Sequence, residues 1–111
     1  MSVLNLDQIL ALDDRPVKTV PVKAWGGEVL MRPMSGAERD EFDSFVVKQK
    51  GDPRGIRAAL IAMTLCDAAG KRVLSLADAP KLAERSSEVL AALEQEALVL
   101  NGLRVEAAEK N

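Results

Sequence analysis

The stretch from residue 20 to residue 45 constrains the fold more than any other, because it predicts a β-hairpin followed directly by a capped helix. Two runs of strand-forming residues flank Gly26 and Gly27, and both glycines can adopt the positive φ of a tight turn. With a two-residue loop, Val22 is predicted to pair with Met31. One face is then wholly apolar and needs a packing partner; it comprises Val20, Val22, Ala24, Val29 and Met31.

The segment after the hairpin is predicted to be the helix that supplies this partner. Ser35 and Glu38 have the S-x-x-E spacing of a capping box, in which each side chain accepts the other residue's backbone N–H. Phe42, Phe45 and Val46 follow at i, i+3 and i+4, which gives the helix an apolar stripe. Prolines in and after the hairpin also predict that at least one strand lies at a sheet edge.

The chain is predicted to form one α+β domain, an N-terminal β-hairpin packed on a predominantly α-helical part of about four helices. The expected order is an N-terminal arm or short helix over residues 1–16, the hairpin over 17–34, the helical part over 35–103 and a loose tail over 104–111.

Three more helices are predicted within the helical part. Residues 56–66 are apolar on most sides, which is typical of a buried central helix. Residues 75–82 begin like a capping box and predict a short helix. The last helix is expected to run from residue 86 or 87 to residue 100, with Asn101 as Ccap and Gly102 as C′.

Composition predicts a single soluble domain with an aliphatic core, since 48% of the residues are hydrophobic but only 3% are aromatic. The formal net charge of −2 argues against a protein that mainly grips a phosphate backbone. We find no signal peptide pattern and no apolar run of membrane-spanning length, so we expect a reducing cytoplasm.

Catalytic chemistry is poorly supported, and we predict a non-enzyme without cofactor or metal. The chain has no His and no Tyr, and its glycine-rich segments match neither phosphate-binding fingerprint. The single Cys66 lies in an apolar run, so we interpret it as structural. An acidic series adds negative charge near a helix N-terminus rather than suggesting paired catalytic acids; it comprises Glu38, Asp40, Glu41 and Asp43.

Two surface features have open interpretations. A basic patch around the loop at residues 51–55 could bind an anion or an acidic helix, or it could simply be solvated; its members are Lys48, Lys50, Arg54 and Arg57. Trp25, beside the hairpin turn, could anchor an interface or pack on its own domain.

Four segments together resemble the tail assembly chaperones of long-tailed, non-contractile (siphovirus-type) phages and prophages. They are VKAWGGEV at residues 22–29, RPMSGAER at 32–39, DAAGKR at 67–72 and LNGL at 100–103. The resemblance implies a protein that binds and solubilises the tape measure protein during tail tube assembly. It also implies localisation in the host bacterial cytoplasm and absence from the mature virion.

Members of that family commonly make a longer product by a minus-one ribosomal frameshift, whose extension recruits the major tail protein. Glu109, Lys110 and Asn111 are compatible with the slippery sequence A-AAA-AAC if their codons are GAA, AAA and AAC. An ordinary polar tail is the alternative, and the codon of Lys110 distinguishes the two.

Self-association is expected as well, because many small copies could present a repeated apolar groove to a long helical client. Trp25 and Leu30 on the second hairpin face, with Leu93 and Leu100 on the last helix, are the candidate interface residues. Two other functions stay open. One is a small structural virion tail or connector protein, and the other is a helical DNA-binding regulator built on residues 56–66 and 75–82.

Overall fold

The structure is a computed structural model, and it describes residues 2–103. The predicted loose tail and the codons of interest at residues 109–111 lie outside this range. The helices are α1 (Leu6–Leu10), α2 (Gly36–Lys48), α3 (Ile56–Thr64), α4 (Ala79–Leu82) and α5 (Ser87–Leu100); the strands are β1 (Lys18–Val22), β2 (Gly27–Met31) and β3 (Leu65–Cys66). An α+β domain with an N-terminal hairpin is therefore confirmed.

The hairpin is present, but the predicted register is wrong. Val22 pairs with Gly27 instead of Met31, and Met31 pairs with Lys18. A 3-10 turn over Lys23–Trp25 ends in Gly26 at φ 72°, so the loop has four residues and only one of the two glycines adopts a positive φ. The turn is closed by the Gly26 N–H, which donates to the Lys23 carbonyl at 3.0 Å.

The apolar face survives this change of register, because the partner shifts by an even number of residues and side-chain parity is preserved. Val20, Val22 and Met31 are buried and Val29 packs against the core. Ala24 is the exception: it lies in the 3-10 turn and is exposed.

A third strand extends the hairpin into an antiparallel sheet of order β1-β2-β3. The helix predicted over residues 56–66 ends at Thr64, and Leu65 and Cys66 pair with Met31 and Leu30. The Leu65 backbone turns extended (ψ 137°), because the free edge of β2 offers it hydrogen bonds that another helical turn would forgo. Pro21 lies on β1, so the predicted edge strand is confirmed.

The core surrounds α3, in which every residue from Ala58 to Thr64 is buried. It packs against α2, α4, α5 and the apolar face of the hairpin. The predicted aliphatic core is confirmed. Since α3 is enclosed and α4 has four residues, the described chain presents no exposed recognition helix at the positions that the DNA-binding alternative requires.

The helix caps agree with the sequence signals. Ser35 and Glu38 form the capping box of α2, and Ser75 forms another with Asp78. Ser86 caps α5. At the other end of α5 the Leu103 N–H donates to the Leu98 carbonyl at 2.8 Å, which completes the predicted Schellman motif.

Candidate functional site

An open groove with a mainly apolar lining lies between the hairpin tip and α4 and has a volume of about 770 Å³. We call it the Trp25 groove. The 3-10 turn places Trp25 on its rim, where the indole is 38% exposed. The remaining apolar lining comes from Leu65, Val73, Leu74 and Leu82. A half-open apolar depression edged by an amphipathic aromatic side chain is suited to receiving another apolar helix face.

The rim of the Trp25 groove is polar and mainly basic. Lys81 and Arg85 are exposed on α4 and just after it, and within residues 2–103 neither forms an ion pair. Asp78 also lies on the rim, where the backbone N–H and the hydroxyl of Ser75 donate to its carboxylate at 3.0 and 3.1 Å. These hydrogen bonds lower the pKa of Asp78. The two cations are the rim charges left available to a partner.

The N-terminal arm, residues 3–12, is the other apolar surface. Its short helix α1 has a complete capping box between Asn5 and Gln8, yet none of its residues is buried. Six of the eleven large hydrophobic side chains exposed within residues 2–103 belong to this arm, namely Val3, Leu4, Leu6, Ile9, Leu10 and Leu12. The predicted short helix is therefore present, with its apolar residues facing solvent.

A buried arginine fixes the base of this arm. Arg32 follows β2 and is 8% exposed. Its Nη2 donates to Asp13 Oδ1 at 2.6 Å and to the Arg15 carbonyl at 2.8 Å, and its Nη1 donates to the Gly70 carbonyl at 2.9 Å. Arg15 in turn pairs with Glu38 at 2.9 Å. The arm thus emerges from a fixed point on the domain.

Among the predicted interface residues, only Trp25 is clearly accessible. Leu30 is half-buried on the central strand, and Leu100 is half-buried against the core. Leu93 is 1% exposed and packs in the core. The structure does not bring these four side chains together on one surface. Of the four, only Trp25 lines the groove.

The predicted basic patch is partly neutralised by neighbouring acids. Arg54 pairs with Asp52 at 2.7 Å and Arg57 pairs with Glu94 at 3.0 Å. The Asp52 pKa is lowered chiefly by the Arg54 side chain. Lys48 lies at the end of α2, and Lys50 occupies the following turn at φ 52°. Two of the four cations are thus engaged within the chain.

The environment of Cys66 is typical of a structural residue. Cys66 is a buried free thiol, and burial raises its pKa, which disfavours the nucleophilic thiolate. Residues 2–103 contain no group of three or more metal-ligating side chains. Over the same range, no helix is long and apolar enough to cross a membrane.

Asn101 has a larger role than its predicted place as the cap of α5. Its Oδ1 accepts from the Met34 N–H at 2.7 Å. Its Nδ2 donates to the Ala97 carbonyl at 2.8 Å and to Thr64 Oγ1 at 3.3 Å. One amide therefore joins the ends of α3 and α5 to the segment that leads into α2. The Asn-Gly pair signalled the cap, but nothing local signalled these distant partners.

Comparison with known proteins gives a likeness among solved structures. No family model matches the chain, and no curated protein matches it. Among solved structures, the bacteriophage HK97 tail assembly chaperone superposes with a TM-score of 0.63 at 26% sequence identity, over 91% of this chain and 96% of that one. The fold of this chain is thus similar to that of a siphophage tail assembly chaperone, which supports the resemblance seen in the sequence.

The segments that carried the family resemblance have structural roles in this fold. Gly26 closes the hairpin loop, Ser35 opens α2, and Asn101 joins three elements. Gly70 accepts the Arg32 hydrogen bond. The motifs that carry the resemblance thus lie where the backbone turns or a helix begins or ends.

Proposed function

We propose that this chain is a phage tail assembly chaperone that binds the tape measure protein and keeps it soluble while the tail tube assembles, without catalysis. The observation that carries the proposal is the structural likeness to the HK97 tail assembly chaperone along nearly the whole of both chains. The sequence resemblance over residues 22–103 supports the same role.

Physical features of the chain suit this role. A tape measure protein offers long amphipathic helices, and helix recognition requires apolar grooves of matching length. One copy of this chain, with 111 residues, can cover only a short length of such a helix. Several associated copies would present a longer apolar surface, so self-association belongs to the proposal.

Two further parts of the proposal concern the life cycle of the protein. A longer form, made by minus-one frameshifting near residues 109–111, would recruit the major tail protein. The chaperone would act in the host bacterial cytoplasm and be absent from the mature virion. An AAG codon for Lys110 would contradict this particular slippery site.

Co-expression with the tape measure protein of the same phage or prophage tests the proposal. We expect the tape measure protein to be insoluble alone, and to become soluble and co-purify when this chain is present. If it stays insoluble, or is soluble but does not co-purify, the proposed function is wrong. Finding this chain in purified particles would instead favour a structural tail or connector protein.

A further inference from the structure

Exposed apolar side chains are concentrated on two parts of the described chain. Six lie on the N-terminal arm, and two more, Trp25 and Val73, line the Trp25 groove. Only three other large hydrophobic side chains are exposed within residues 2–103. Apolar surface in such concentrations marks a contact site.

The arm has the pattern of a helix that docks on a partner. Leu6, Ile9 and Leu10 have i, i+3, i+4 spacing and so share one face of α1. An isolated helix shorter than about 12 residues is marginal in water, even when it is capped. Since α1 buries none of its residues on its own domain, its apolar face has no packing partner within the described chain.

We propose that the arm of one copy docks its apolar face in the Trp25 groove of a second copy. This inference rests on the self-association proposed above, and it assigns that association to two named surfaces. The arm would bring Leu6, Ile9 and Leu10 onto the groove lining formed by Leu65 and Leu82.

Charge complementarity supports this pairing. Asp7 is the only charged side chain within the arm and forms no ion pair in the described structure. The rim of the groove offers Lys81 and Arg85, which are also unpaired there. An acidic first helical turn approaching a basic rim is favourable, and the charges would help to set the orientation of the docked helix.

Reciprocal exchange would bury an area at the lower end of the range for specific interfaces. At about 100 Å² for each buried aliphatic side chain, the three docked residues of one arm hide on the order of 300 Å². Two arms and two grooves bring the total to on the order of 1,200 Å², the lower limit of a standard interface.

Trp25 provides the test, because it is the only tryptophan of the chain and it lines the groove. Sedimentation equilibrium of the full chain gives its mass and dissociation constant, while the emission maximum reports burial of Trp25. We expect the wild type to be larger than a monomer, and its emission to shift to shorter wavelength as concentration rises.

Full-chain variants separate the two surfaces. Leu6→Ser with Leu10→Ser should raise the dissociation constant at least about tenfold and abolish the emission shift. Lys81→Glu with Arg85→Glu should also raise the dissociation constant. Val47→Ser is the matched control, since Val47 is 75% exposed on α2 and belongs to neither the arm nor the groove lining. It should change neither the dissociation constant nor the emission maximum.

Mixing the arm variant with the rim variant restores one intact arm and one intact groove, so the mixture should associate more tightly than either variant alone. If the arm variant associates like the wild type, the proposal is wrong although self-association stands. If the wild type is monomeric and its emission maximum shifts to longer wavelength when the arm is changed, the arm docks on its own groove. That result also overturns the proposal. Client protein is absent throughout, so failure here is distinct from failure of co-expression.

Discussion

At the scale of single residues, Gly70 and Arg32 impose the tightest steric requirement in the described chain. Gly70 has φ +80°, where a side chain is disfavoured. A Cβ at this position would also overlap Nη1 of the buried Arg32 guanidinium. The same guanidinium fixes the base of the arm through Asp13 and the Arg15 carbonyl. One glycine therefore controls how the turn over residues 67–72 and the arm are joined.

Gly70→Ala is expected to lower the free energy of unfolding by about 2–4 kcal/mol, because backbone strain and displacement of Arg32 act together. Gly26→Ala is the matched control: its φ is +72°, but a Cβ added there would meet no heavy atom within 4 Å. It should cost only about 1 kcal/mol. Urea denaturation measures both, and equal losses would contradict the steric role of Arg32.

At the scale of secondary structure elements, α5 shows why apolar residues on one helix have different roles. The sequence places Leu93 and Leu100 on a helix that is apolar on more than one side, and it predicts both as interface candidates. In the structure Leu93 packs in the core and Leu100 is half-buried at its edge. Periodicity shows which face of a helix is apolar, whereas packing against neighbouring elements decides whether a side chain on that face is accessible.

Leu93→Ala should cost about 3 kcal/mol of unfolding free energy, because it leaves a cavity in the core. Leu100→Ala should cost about 1 kcal/mol, since its side chain is already partly solvated and the site can relax. Chemical denaturation measures the loss of unfolding free energy, and sedimentation equilibrium measures the dissociation constant. A weakened association of folded Leu93→Ala would show that this residue contributes to the interface.

The hairpin shows which features of a secondary structure element can be predicted from sequence and which cannot. Its existence, its apolar face and the capped exit at Ser35 follow from turn residues, alternation and a capping box, which all act within a few residues. The loop type was not predictable, because a Gly-Gly pair allows both a two-residue turn and the observed 3-10 turn over Lys23–Trp25. Strand β3 also escaped prediction, since Leu65 and Cys66 become extended only where β2 offers a free edge.

At the scale of the whole molecule, association should be visible as stability that depends on concentration. Folded copies that bind each other stabilise the native state by mass action. Above the dissociation constant, we therefore expect Tm to rise by roughly 3 °C for each tenfold increase in protein concentration. Differential scanning calorimetry over a concentration series measures this slope.

The variant Leu6→Ser with Leu10→Ser is the control for the calorimetric series. Neither residue is buried, so the variant should keep the wild-type Tm at low concentration. Its Tm should stay constant as concentration rises. A slope equal to that of the wild type would show that copies associate through surfaces other than the arm.

The sequence by itself determined the α+β class, the capped starts of α2 and α5 and the buried central helix, because these depend on interactions between residues close in the chain. Tertiary structure alone decided the register, β3, the burial of Leu93 and Arg32, and the groove that Trp25 shares with α4. Each of these depends on which distant surfaces meet, and such contacts leave no periodic signal in the sequence.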